Sequence, residues 1–128
     1  MVSLALSGIS VQAAMTPEAN SLYQQACSAE YQQDYDTAVA KLTQAIQIAG
    51  DDALLYTKLA GVYSEMGEYE KALQIYAKVA EMRPGDAFIY ISVGSIYENQ
   101  GKYLEALEAY NKAMEIFPEY KYLSLIHI

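Results

Sequence analysis

No tryptophan, a single cysteine, a single histidine and only two phenylalanines occur among these 128 residues, and each shortage removes a class of explanation. With Cys27 alone no disulfide can close within the chain, and with His127 as its one companion no zinc site can be built from cysteine and histidine. Glycine-rich phosphate loops and distinctive acid–base motifs are missing too, and no histidine lies between residues 19 and 120. The chain is therefore not expected to be an enzyme or to carry a metal or cofactor. Glu68 and Glu70 before Lys71, and Glu105 and Glu108 before Lys112, read as ordinary charge pairing on helix surfaces. Basic charge is scarce as well: eight lysines and arginines stand against sixteen acids, for a net charge of -8. That balance repels phosphate backbones and anionic lipid headgroups, so nucleic acid and membrane-surface partners are disfavoured. A basic partner and a merely solvated acidic surface both fit the charge.

What is present is a core-forming composition, 53% hydrophobic and 19% charged, with thirteen tyrosines. Its fillers are alanine, leucine and tyrosine, a mixture suited to closely packed helices. The two ends differ from the middle. Residues 1–14 carry no charge, run apolar or small from Val2 to Val11, and place Val11 and Ala13 as the small residues before a cleavage point. This resembles the core of a secretory signal peptide, although its usual basic start is absent. On that reading residues 1–18 are a signal remnant and short linker, and the protein is bacterial and periplasmic or secreted. The alternative is an apolar helix packed on the first repeat of a cytoplasmic protein. The stretch is too short for a transmembrane span. A lipoprotein anchor at Cys27 is disfavoured, because Gln24 stands where leucine is wanted. At the other end, residues 121–128 read either as the start of a further repeat or as a non-native tail, SLIHI resembling translated sequencing-adapter bases.

Between these ends the chain repeats itself. Pro84 and Pro118 are 34 apart, as are Gly67 and Gly101, Tyr69 and Tyr103, Ala72 and Ala106, Tyr76 and Tyr110, Tyr63 and Tyr97, and Tyr56 and Tyr90. A further step back aligns Ala26 with Ala60, Tyr35 with Tyr69 and Ala38 with Ala72. Three units follow, 19–52, 53–86 and 87–120. Within the second, Leu55, Tyr56, Leu59, Ala60 and Tyr63 recur at helical spacing, and Ala72, Leu73, Tyr76, Val79 and Ala80 do so again, so each unit is two helices. Asp52 and Asp86 stand where N-caps are needed, Gly67 and Gly101 where the first helix must turn left-handed, and Pro84 and Pro118 beyond the second helix.

These residues resemble the tetratricopeptide repeat family, strongly in the second and third units. The first departs from the pattern, with Ala29 for a tyrosine, Gln33 for the glycine and Gly50 for the proline. The resemblance implies an all-α fold, a right-handed α-solenoid of three antiparallel helix hairpins, in which small residues let paired helices approach closely. Without a polar capping helix, the last unit would expose Tyr97, Tyr110 and their neighbours, which reads as the N-terminal fragment of a longer protein.

The resemblance also implies a concave groove lined by the first helices, where a protein or peptide docks. Carried over position by position, the groove takes Tyr23 and Glu30 from the first unit, Leu54, Thr57, Lys58 and Glu65 from the second, and Phe88, Ile91, Glu98 and Asn99 from the third. Tyr23, Leu54, Phe88 and Ile91 would form an apolar ridge, and Glu30, Glu65 and Glu98 an acidic edge. Equally, the apolar residues could pack on neighbouring helices and the acids could be a solvated face. The family's carboxylate clamp, by contrast, finds Tyr23, Cys27, Lys58, Phe88 and Ser92 where it needs lysine, asparagine and arginine, so an acidic chaperone tail is disfavoured. The leading expectation is a scaffold or adaptor that binds a protein or peptide. The alternatives are the targeting region of a larger enzyme, and a structural repeat that self-associates through uncapped ends.

Overall fold

The computed structural model describes residues 15–119. Within them lie six α-helices and no strand: α1 Pro17–Tyr31, α2 Tyr35–Ala49, α3 Ala53–Glu65, α4 Tyr69–Met82, α5 Ala87–Asn99 and α6 Tyr103–Ile116. The export-signal reading of residues 1–14 and both readings of residues 121–128 fall outside the described residues. The chain divides into two compact units, residues 1–62 and 63–128, at a point inside α3. No described helix is long and apolar enough to cross a membrane.

Four of the six helices start where a side chain satisfies one or more of their first N–H groups. Thr16 Oγ1 accepts a hydrogen bond from the Ala19 N–H at 3.1 Å, with Pro17 in the first turn where its missing N–H costs nothing. Asp34 Oδ1 accepts from Thr37 at 3.3 Å, Asp52 Oδ1 from Leu54 at 2.9 Å and Leu55 at 3.3 Å, and Asp86 Oδ1 from Phe88 at 3.0 Å. Each bond meets a donor that the helix itself leaves unpaired. Helices α4 and α6, by contrast, begin at Glu68 and Lys102 with no side-chain cap bond.

The turns that precede α2, α4 and α6 share one main-chain design. The N–H groups of Asp34, Glu68 and Lys102 donate back to the carbonyls of Ala29, Tyr63 and Tyr97, each at 2.8 Å. Those of Gln33, Gly67 and Gly101 donate to Glu30, Ser64 and Glu98 at 2.9 to 3.0 Å. Such a closure requires the central residue to be left-handed. Gly67 and Gly101 supply φ values of 80° and 76°, and Gln33 adopts 63° without being glycine. The first turn therefore keeps the design of the other two and carries strain where they carry none.

Helices of 13 to 15 residues are marginal alone, so packing must hold them. In the first unit α1 lies against α2, and Ala26, Ala38, Leu42 and Ala45 are fully buried. In the second unit α5 contacts both α4 and α6, with Ala72, Val79, Ile89, Ile96, Ala106 and Ala113 in the core. Alanine lets helix axes approach while giving up no side-chain rotamer freedom. At Gly94 the approach is closer still, for a Cβ placed there would stand 2.7 Å from Tyr110 Cε1 and 2.8 Å from its Cδ1.

That ring position corrects one expectation. Tyr97 and Tyr110 are half-buried, Tyr110 because its ring lies on Gly94. The large apolar side chains that α6 leaves in water are Tyr103, Leu104 and Leu107, with Phe117 just past its end.

Two outcomes follow for stability, both measurable as shifts in urea-unfolding free energy. Gln33→Gly should stabilise the chain by about 0.5–1 kcal/mol, the relief of left-handed strain exceeding the added freedom of the unfolded chain. Gly94→Val should destabilise it by about 1–3 kcal/mol, because the Tyr110 ring cannot retreat without leaving its contact.

Candidate protein-binding surfaces

The residues assigned to a groove fall into two sets, one in each compact unit. In the first unit the Asp52 cap fixes the start of α3, and Leu54, two residues on, is left 45% exposed. Tyr23, Glu30, Thr57 and Lys58 are half-buried. In the second unit the Asp86 cap fixes the start of α5, and Phe88 is 53% exposed. Glu65, Glu98 and Asn99 are exposed and Ile91 is half-buried. Leu54 and Phe88 thus hold the same position, 34 residues apart, and both are large apolar side chains held in water on the first turn of a capped helix.

The acidic edge is different from the one anticipated. Lys58 Nζ lies 2.7 Å from Glu30 Oε1, a salt bridge between α1 and α3 with both side chains partly shielded. Burial acts to lower the Lys58 pKa, but the hydrogen bond and charge of Glu30 outweigh it and the net shift is upward. Beside this pair, burial and then the neighbouring Cys27 raise the Tyr23 phenol above its ordinary value. Glu98 is engaged as well, since Tyr110 donates its hydroxyl to Glu98 Oε1 at 2.7 Å. Glu30 and Glu98 are therefore internal partners rather than an edge waiting for a basic ligand. The supposed surface charge pairs need the same revision: Lys71 stands 5.3 Å from the centroid of the Tyr63 ring and Lys112 5.7 Å from that of Tyr90, both within cation–π range.

Two of the clamp positions have partners within the fold. Lys58 is held by Glu30, and Ser92 Oγ donates to the Phe88 carbonyl at 3.1 Å. Sequence reasoning passed over Leu104 and Leu107, exposed by 81% and 55% on α6. The signal was available: at the two positions 34 and 68 residues before Leu104 the chain has Glu70 and Asp36.

Six described helices, four of them with side-chain caps, the recurring left-handed turn and the 34-residue register define a helical repeat of the α-solenoid class. Tetratricopeptide repeat models match residues 51–119 and residues 20–51, and the chain belongs to the tetratricopeptide repeat family. Members of this family are interaction modules that bind proteins or peptides and typically lack catalysis of their own. Among solved structures, MamA is similar at 31% identity and a TM-score of 0.73, over 81% of this chain and 61% of that one. The Sgt2 TPR domain from Aspergillus fumigatus is similar at 28% identity and a TM-score of 0.72, over 80% of this chain and 68% of that one. A MamA structure from Desulfovibrio magneticus RS-1, at 24% identity and a TM-score of 0.70 over 79% of this chain and 57% of that one, shares the fold. This chain thus spans less than two thirds of the length of these two MamA chains. No curated protein matches the sequence.

The Tyr110–Glu98 contact makes a pH prediction. Burial first, and then the bond and charge of Glu98, push the Tyr110 phenol up to about 12 from its ordinary 10.0. A folded-state value above the unfolded one stabilises the fold fully below the unfolded value, and that stabilisation is lost as pH rises through the folded value. Stability should therefore show a Tyr110-dependent decline between pH 10 and about 12. Following phenolate absorbance, Tyr110→Phe should remove one late-titrating tyrosine and flatten that part of the stability curve.

Proposed function

We propose that this chain is a scaffold or adaptor that binds a protein or peptide segment on the faces of its first helices, with Leu54 and Phe88 as the apolar anchors. The observation that carries this reading is the shared exposure of those two side chains at one repeat position, each on a helix start fixed by an aspartate cap. Water around a leucine and a phenylalanine is a standing cost that a bound apolar group relieves, by about 0.7–1.5 kcal/mol for a side chain that is already roughly half covered. Rigid starts favour binding further, because little ordering remains to be done when the ligand arrives. The engagement of Glu30 and Glu98 within the fold narrows the ligand, since selectivity at these faces then rests on apolar fit rather than on a carboxylate row.

Peptides selected against the full chain from a displayed library test this. Leu54→Glu should weaken peptides that dock on the first unit, and Phe88→Glu those that dock on the second, each at least about tenfold, roughly 1.4 kcal/mol, while helix content by circular dichroism is unchanged. Undiminished binding in both variants would remove the anchors from the assignment.

A further inference from the structure

We propose that the Tyr31 ring seats a basic side chain, arginine above all, of the same peptide segment that Leu54 anchors, an inference that rests on the reading of Leu54 given above. Tyr31 is 90% exposed, more than any other large apolar or aromatic side chain described. The residues 34 and 68 places on, Glu65 and Asn99, are exposed too, Glu65 in the middle repeat. Exposure at this position is thus a property of the repeat and not of an end of the array. Polar side chains satisfy it elsewhere, so an aromatic ring here answers no packing need.

What the ring can receive follows from the chemistry around it. The face of a tyrosine ring is electron-rich and attracts a cation. The fold itself uses this twice, with Lys71 5.3 Å from the centroid of Tyr63 and Lys112 5.7 Å from that of Tyr90. Tyr31 offers the same surface with no cation to cover it. The last turn of α1 holds no basic residue. Lys58 is held by Glu30, and Lys41, the other lysine between residues 15 and 62, is half-buried midway along α2.

Charge decides the occupant. Tyr31 is the last residue of α1, where the helix dipole leaves partial negative charge. Asp34, the cap of α2, and Asp36 follow within one and a half turns, both exposed. These features favour a positive group, and the net charge of -8 draws one from a distance. Arginine suits the place better than lysine, because its planar guanidinium stacks on an aromatic face while its N–H groups still reach a carboxylate. The ring and Leu54 also belong to one face. Glu30 adjoins Tyr31, Lys58 stands one turn beyond Leu54, and the two are bridged at 2.7 Å. A segment that crosses this ion pair from α3 to α1 can touch both the leucine and the ring.

The test uses the full chain and those library-selected peptides that Leu54→Glu weakens. Each is remade with arginine replaced by citrulline, or lysine by acetyl-lysine, which removes the charge and keeps most of the shape. One such replacement should weaken binding about two- to fivefold, the size of an exposed cation–π contact. Tyr31→Phe, which keeps the ring, should preserve that difference, and Tyr31→Leu, which keeps only an apolar side chain, should abolish it. Because Tyr31 is exposed, both variants should retain their helix content, which circular dichroism checks. Selected peptides without a basic residue, equal binding of charged and neutral forms, or a difference that persists in Tyr31→Leu would each overturn the proposal while leaving Leu54 as an anchor. If Leu54→Glu weakens no selected peptide, the anchor itself is lost and this seat with it. Sedimentation showing the chain alone as a dimer that Tyr31→Leu dissociates also overturns the proposal, since a second copy would then cover the ring.

Discussion

Helix-to-helix approach at small side chains is the constraint on which the rest of this chain depends. No described helix is long enough to persist alone, so each must touch a neighbour closely along its length. Ala26, Ala38, Ala60, Ala72 and Ala106 are buried at matching repeat positions, and Gly94 stands in the same series with the Tyr110 ring against it. The surface follows from this. With small residues facing inward, the large side chains are distributed to whichever positions the packing leaves, and some of those positions are wet.

Where charge lies in such a protein is not where acidity accumulates in the sequence. Glu30 is tied to Lys58 and Glu98 to the Tyr110 hydroxyl, so part of the acidic surplus serves to hold helices in register. Asp36, exposed just past the turn that follows Tyr31, has a different physical character. An engaged carboxylate fixes structure, whereas one in water near an uncovered ring influences which partner can settle there.

The 34-residue register made the helix positions readable, because caps, left-handed glycines and terminal prolines all recur at that spacing. Gln33 was readable only as a departure, since nothing in a glutamine announces a φ of 63°. The pairings of Glu30 with Lys58 and of Lys112 with the Tyr90 ring were illegible for another reason. They join residues 28 and 22 positions apart, and depend on which helix faces meet rather than on local spacing. The exposure expected of Tyr110 does not occur, because its ring turns back onto Gly94, a contact between two helices that local spacing does not announce. Leu104 was legible by comparison across repeats, where two acids set the expectation that it breaks.

The three left-handed turns are closed entirely by main-chain hydrogen bonds, with none of their side chains needed for the closure. Their central residue is thereby released from every structural duty except tolerance of one backbone handedness. Glutamine already meets that duty at a tolerable strain. The hairpin corners are consequently the part of this architecture where identity can drift farthest while geometry stays fixed, and where new surface chemistry could arise with little disturbance to the packed helices behind it.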